Sequence, residues 1–267
     1  MDFESYMIVF TKSKERVYNF NKIKSFFNQL QMFEAYDGND IKSKNIAYNQ
    51  KLLLPNYFDK YLPGMLGCAL SHIKLIEHFY KTSSKNWLLV LEDDVCLKNF
   101  DIKVINDIIK KADDNNSNFI QLYMRSNIIE KQRIQKIISE NLYNMIPQVG
   151  TVAYLVSKNG YDIIKKQFPV NIAIDHFYSK HISKLNSLAY INTIFLNNGS
   201  YNYSDQNSSL GSIIGNIPPK INFIQPKPIQ SKPIQPKPIQ PKVIKSKLKK
   251  NNLVGLKKLL ISKFIRK

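Results

Sequence analysis

The sequence predicts an α/β domain with a parallel sheet, on three observations. An apolar run closes on acidic residues at Trp87-Leu88-Leu89-Val90-Leu91-Glu92-Asp93-Asp94-Val95. A strand–helix–strand pattern opens the chain, and short apolar runs then alternate with amphipathic stretches as far as Phe195. A brief, continuously apolar run ended by a polar cluster reads as a strand covered on both faces, and alternation of such runs with helices reads as βαβ units.

Taken in order, Tyr6–Phe10 is the first strand, and Thr11–Ser13 supply a turn or N-cap with Glu15 placed to help a helix start. Val17, Phe20, Ile23, Phe26, Phe27 and Leu30 recur at helical spacing, and Met32–Tyr36 is a second strand ended by the Asp37-Gly38-Asn39-Asp40 turn. Residues 41–63 carry no clear period; Leu52, Leu53, Leu54, Tyr57 and Phe58 pack locally, and Pro63-Gly64 is a break. Helices are predicted from Gly67 to Tyr80 and from Ile102 to Ala112, a strand over Asn118–Tyr123, and a helical excursion over 124–146. Thr151–Val156 is a strand and Lys158–Lys166 a helix; Asn171–Lys184 is loop then helix, and Leu188–Phe195 a last strand.

The net charge of +19 belongs to an appendage. Fourteen of the 39 Lys and Arg residues, and no Asp or Glu, lie in 218–267, leaving 25 basic against 20 acidic residues before it. The expected organisation is a domain at 1–217, a Pro/Lys-rich linker at 218–243 with the repeat IQPKP, IQSKP, IQPKP, IQPKV, and a basic tail at 244–267. The linker suits extended polyproline II. In the tail Leu253, Leu256, Leu260 and Phe264 alternate with lysines, as in a helix lying on an anionic membrane; a solvated basic tail is the equal alternative. Nucleic acid is disfavoured as partner, because no recognition motif accompanies the charge and Phe264 is the tail's one stacking aromatic. The two cysteines, the absence of a basic start followed by an apolar run, and the lack of a long uncharged apolar stretch point to a cytoplasmic protein, peripheral on the membrane through its tail.

In an open α/β sheet, ligands bind beyond the carboxyl ends of strands, where Glu92, Asp93 and Asp94 are delivered. Three adjacent carboxylates repel, and a divalent cation with a preference for hard oxygen ligands, Mg²⁺ or Mn²⁺, relieves that; a plain turn, or capping of the helix that begins near Asp101, is the bland alternative.

Several stretches in order resemble glycosyltransferase family 25, which includes bacterial lipooligosaccharide galactosyltransferases and collagen hydroxylysine glycosyltransferases. They are Phe33-Glu34-Ala35-Tyr36-Asp37-Gly38, then Pro63-Gly64-Met65-Leu66-Gly67-Cys68-Ala69-Leu70-Ser71-His72-Ile73, and then Leu89 to Val95. Gly150 to Gly160, Pro169 to Asp175, and Asn207 to Ile213 follow. The resemblance implies a GT-A fold, a Rossmann-like mixed sheet flanked by helices. It also implies an inverting, metal-dependent transfer of galactose or glucose from a UDP-sugar to a hydroxyl of a glycan, lipooligosaccharide or protein acceptor. On it Glu92 and Asp94 match the metal-binding acidic motif, with Asp93 as a replacement for either ligand or a contact to the sugar hydroxyls. Asp175 is the expected general base, with His176 as competitor and an N-cap as its structural alternative. Ser71 and His72 are expected to hold the nucleotide or orient the acidic turn, although a lone helical His is often structural. Asp37 would reach the uridine or ribose, with Gly38 allowing positive φ, or form a simple turn. Thr11 and Arg16 would contact the nucleotide.

The opening Thr11-Lys12-Ser13-Lys14-Glu15-Arg16 departs from the family's N-L-x-R-R-like cluster, and Leu75-Ile76 stand where the family often has Trp. Those departures keep a second reading open, a GT-A-fold scaffold without activity; a nucleic-acid binder acting through the tail is a third.

Overall fold

In the computed structural model, which describes residues 2–197 apart from 99, 192 and 193, the first strand β1 (Phe3–Val9) lies between two parallel neighbours. These are β2 (Gln31–Glu34) and β3 (Trp87–Glu92). The register sets Val9 opposite Glu34 and Ile8 opposite Glu92. The three strands therefore end together, and the chain leaves β1 beside the acidic turn.

Beyond β3 the sheet departs from the all-parallel expectation. β8 (Ala153–Ser157) runs antiparallel to both β3 and β5 (Phe119–Gln121). β9 (Leu188–Tyr190) pairs parallel to β5, and a hairpin of β6 (Ile137–Ser139) and β7 (Leu142–Asn144) closes the order β2-β1-β3-β8-β5-β9-β7-β6. The result is the mixed, Rossmann-like α/β sheet flanked by helices that the GT-A resemblance implies. β4 (Val95–Leu97) and β10 (Phe195–Asn197) form a separate antiparallel pair.

Each face of the sheet has its own core. On one, α4 (Pro63–Thr82) lays Leu66, Leu70, Ile73 and Phe79 against Leu88, Val90, Tyr154 and Val156. On the other, α1 (Lys14–Lys24) and α5 (Ile102–Asp114) lay Phe20, Ile23, Ile105 and Ile108 against Met7, Trp87, Leu89, Leu91 and Leu155. Successive side chains of a strand alternate between faces, so Leu88 and Val90 enter one core and Leu89 and Leu91 the other. Each fully buried aliphatic side chain contributes about 1.5–3 kcal/mol, which makes β3 a firm base for the acidic turn at its end.

The remaining helices are α2 (Ile41–Asn49), α3 (Tyr57–Lys60), α6 (Ser126–Arg133), α7 (Lys158–Lys165), α8 (Ile174–Lys180) and α9 (Ile182–Leu185). Several expectations change. α1 stops at Lys24, where Ser25 caps it; Phe27 and Leu30 reach the core from the loop, and Phe26 is exposed. Pro63 opens α4 rather than breaking the chain, as proline suits a first helical turn. Residues 41–63 hold two helices, and Leu52, Leu53 and Tyr57 join the main core. Residues 124–146 are helical only over α6, and Leu188–Phe195 divides between strands of two different sheets. Asp101 caps α5 by accepting the Lys103 N–H at 2.9 Å, so the acidic turn does not serve as that cap. The linker, the basic tail and Asn207–Ile213 lie outside the described residues.

Candidate active site

Strand alternation continues past β3 into the acidic turn. Glu92 follows Leu88 and Val90 to the α4 face, where Nε2 of the buried His72 lies 3.1 Å from its Oε1. The Thr151 hydroxyl donates to the same oxygen. Asp93 falls on the α1 face. Its Oδ2 accepts the Phe10 N–H at 2.8 Å, and its Oδ1 accepts a hydrogen bond from the buried Arg16 guanidinium. Asn19 Nδ2 donates to the carbonyls of Asp93 and Val95, both at 2.9 Å, so α1 grips the turn by backbone as well as by charge. Asp94 Oδ2 lies 3.9 Å from the same Arg16 nitrogen.

Two backbone contacts fix the ground on which this rests. A Cβ at Gly38 would lie 1.6 Å from the Pro63 carbonyl oxygen, and one at Gly67 2.4 Å from that of Tyr36. The start of α4 therefore touches the β2–α2 loop without intervening side chains. Gly38 is needed for this close approach and not, as expected, for positive φ; Gly150 is the glycine with positive φ among the described residues, at 110°. Ser71 completes the splice. It donates to the Gly67 carbonyl at 2.6 Å and accepts the Tyr36 N–H at 2.8 Å, which places His72 under Glu92.

The turn separates two cavities. The smaller, about 170 Å³, is lined by Phe10, Arg16, Asp37, Gly38, Ser71 and His72. The larger, about 940 Å³, is lined by Tyr123, Arg125, Gly150, Thr151, Asp175, His176 and Lys180 among others. Glu92, Asp94 and Cys68 line both, and Asp93 lines the smaller. Asp175 lies in the first turn of α8, whose N-cap is Ala173, so it does not cap the helix; its Oδ2 accepts the Gly150 N–H at 3.2 Å and its Oδ1 the His176 N–H at 2.7 Å. Thr11 lies apart from both cavities, donating to Glu34 at 2.7 Å. Lys12 binds Asp37 at 2.6 Å.

Charge in the turn is unevenly distributed. Burial pushes the Glu92 carboxyl up, but hydrogen bonds from His72 and Thr151 outweigh it and hold the group below its ordinary range. Burial wins for Asp93, raised despite the Arg16 charge and the Phe10 N–H. The Lys12 hydrogen bond and the Asn39 N–H hold Asp37 below its usual value.

Glu92 and Asp94 offer hard carboxylate oxygens to both cavities, a donor set that fits Mg²⁺ or Mn²⁺. Ligand atoms of Cys68, His72 and Glu92 also lie within 4.8 Å of one another. That trio fits poorly as a cation site. His72 spends both ring nitrogens on Glu92 and Tyr154, and burial keeps Cys68 a thiol, far from the thiolate a metal requires.

Of the ten residues expected at the site, the structure gathers Glu92, Asp94, Asp93, Asp37, Arg16, Ser71, His72, Asp175 and His176 around the two cavities and leaves Thr11 outside them. Sequence reasoning missed Asn19, Thr151 and Tyr154. Asn19 left a signal: Arg16 and Asn19 share the buried face of α1 with Phe20 and Ile23, and polar residues on a core-facing stripe have a buried partner.

A search among curated proteins finds no match. Among solved structures, UDP-glucose pyrophosphorylase complexed with UDP-glucose aligns with TM-score 0.41 and 10% identity over 74% of this chain and 91% of that one. Mouse xyloside xylosyltransferase 1 in its apo form aligns at 0.37 and 8% over 72% and 85%. The galactosyltransferase LgtC, in complex with donor and acceptor sugar analogs, aligns at 0.36 and 8% over 68% and 70%. In sequence, residues 3–178, more than half the chain, match Glycosyltransferase family 25 (LPS biosynthesis protein), and the chain belongs to that family.

Proposed function

We propose that this glycosyltransferase transfers a hexose, galactose or glucose, from a UDP-sugar to an acceptor hydroxyl with inversion at the anomeric carbon, and that it requires Mn²⁺ or Mg²⁺. The observation that carries this reading is the placement of Glu92 and Asp94 on the wall shared by both cavities. The nucleotide belongs on the Phe10–Asp37 side, with Asp37 toward the uridine or ribose; the acceptor, a glycan or glycoprotein, belongs in the larger cavity.

A cation held by Glu92 and Asp94 would supply Lewis-acid neutralisation of the leaving diphosphate. Around it the chain's own groups act. Arg16 holds Asp93 and, through it, the turn; His72 and Thr151 hold Glu92. Asp175 is the general base. It takes the proton of the acceptor hydroxyl as the new bond from that oxygen to the anomeric carbon forms, while the bond from the same carbon to the diphosphate oxygen breaks and its electron pair leaves with UDP. The Gly150 N–H on Asp175 Oδ2 orients the carboxylate for this role. His176, exposed and next in sequence, is the alternative base.

UDP release from UDP-galactose and UDP-glucose, with and without Mn²⁺, tests the reading: metal-dependent release from one donor is expected. No release from either, together with no thermal shift on adding UDP and Mn²⁺, would leave the non-catalytic scaffold in its place. No helix among the described residues is long and apolar enough to cross a membrane. We further propose that the basic tail attaches the enzyme to anionic membranes, with liposome binding that fades at high salt as the check.

A further inference from the structure

Behind Glu92 a line of buried side chains leads away from both cavities. His72, 1% exposed, places Nε2 on Glu92 Oε1 at 3.1 Å and Nδ1 on the Tyr154 hydroxyl at 2.8 Å. Tyr154 is fully buried on β8, with its ring stacked on Phe119 at 5.1 Å between centroids. It lines neither cavity, so it does not touch substrate.

An ionised carboxylate only accepts hydrogen bonds, so His72 Nε2 must carry a proton to bond Glu92. An imidazole with one proton then leaves Nδ1 bare and in need of a donor, whereas an imidazolium leaves Nδ1–H in need of an acceptor. A phenol hydroxyl meets both needs, and burial, which pushes the Tyr154 hydroxyl well up, keeps it a phenol. The described side-chain hydrogen bonds to Glu92, from His72 and Thr151, both fall on Oε1, which makes Oε2 the oxygen left for a cation.

We propose that Tyr154 is a positioning residue for the carboxylate pair: its hydroxyl satisfies His72 Nδ1 and fixes the ring so that Nε2–H is always presented to Glu92 Oε1. Outer partners of this kind set the orientation of a ligand without touching the metal. The proposal rests on the proposed role of Glu92 as a cation ligand and extends that role inward to β8.

Tyr154→Phe keeps the ring and its stacking and removes only the hydroxyl. In nitrogen-15 NMR of histidine-labelled protein, four histidines are observed and His72→Gln identifies the resonance of interest. That spectrum reads the protonation of each ring nitrogen with no metal or donor present. A protonated Nε2 is expected in the wild type, with both His72 nitrogen shifts displaced in Tyr154→Phe. A bare Nε2 in the wild type, or an unchanged spectrum in the variant, overturns the proposal. Electron paramagnetic resonance of free Mn²⁺ in the presence of UDP gives the second readout, with affinity expected to fall about tenfold in the variant. A lowered unfolding midpoint with unchanged Mn²⁺ affinity marks Tyr154 as packing alone and also overturns it. If the wild type binds no Mn²⁺ under UDP, the cation role of Glu92 fails, and the nitrogen spectrum still decides how Tyr154 places His72.

Discussion

The two cavities that meet at Glu92 and Asp94 are built from different materials. The smaller is set by backbone packed on backbone at Gly38 and Gly67, by the buried Arg16–Asp93 pair and by Ser71 bonded twice to main chain. Apart from Met65 and Cys68 of α4 and the shared acidic wall, the larger is lined by residues of loops and of α8, with Arg125, His176 and Lys180 exposed. A site that handles the same leaving group at every turnover gains from a rigid, desolvated frame, whereas a site that meets varied acceptors gains from loops. The difference is in keeping with the proposed division, donor on the smaller side and acceptor on the larger.

The sharpest way to break that division is at the shared wall. Glu92→Gln or Asp94→Asn should lower Mn²⁺-dependent UDP release by about 10³-fold, the scale of losing one preorganised electrostatic contact. Retained activity in both would remove the wall from the chemistry.

Arg16→Met attacks the rigid side through its charge. Removing one member of a buried ion pair costs about 3 kcal/mol or more, measured by urea unfolding at pH 7. Asp93 is already raised by burial, and losing Arg16 raises it further. A carboxyl with a raised folded-state pKa adds stability as pH falls toward its ordinary value of 3.8, so the deficit of this variant should shrink on acidification. A deficit that grows toward low pH would mean that Arg16 is not paired as described.

Gly38→Ala tests the backbone contact, because its Cβ would sit 1.6 Å from the Pro63 oxygen. An overpacked site of this kind should lose about 3 kcal/mol, read from the same unfolding curves. An alanine tolerated at full stability would refute the rigid frame.

On the adaptable side, Asp175→Asn should reduce transfer to acceptor about 100-fold while the unfolding midpoint barely moves and slow hydrolysis of the donor persists. Equal loss of both reactions would place Asp175 with the metal ligands instead.

How much of this was readable in advance depends on the range of the interactions. The acidic triplet and the run before it carry their meaning locally, because a period of two sends Glu92 and Asp93 to opposite faces whatever their neighbours. Asn19, beside Arg16 on the core-facing side of α1, was equally local and was overlooked. Tyr154 and Thr151 fall in the Gly150–Gly160 stretch that carries the resemblance, but nothing local marked their roles: Tyr154 sits in an ordinary buried strand, and its partner His72 is 82 residues away. The antiparallel insertion of β8 between β3 and β5 is likewise a matter of pairing across the chain. The β6–β7 hairpin was hidden because three-residue strands leave too few positions to show alternation.

The contact between Gly38 and the start of α4 has a consequence for how the enzyme can change. Where main chain meets main chain there is no side chain to exchange, and a substitution there disturbs the frame before it alters a preference. On the proposed assignment of the two cavities, diversification toward new donors is therefore channelled to the rim, to Phe10, Asp37 and Asn39, and diversification toward new acceptors to positions of the larger cavity outside the catalytic groups, such as Tyr123, Arg125, Ile172, Ser179 and Lys180. A library randomised at Tyr123, Arg125, Ile172, Ser179 and Lys180 should yield altered acceptors far more often than one of equal size around Gly38 and Gly67 yields altered donors.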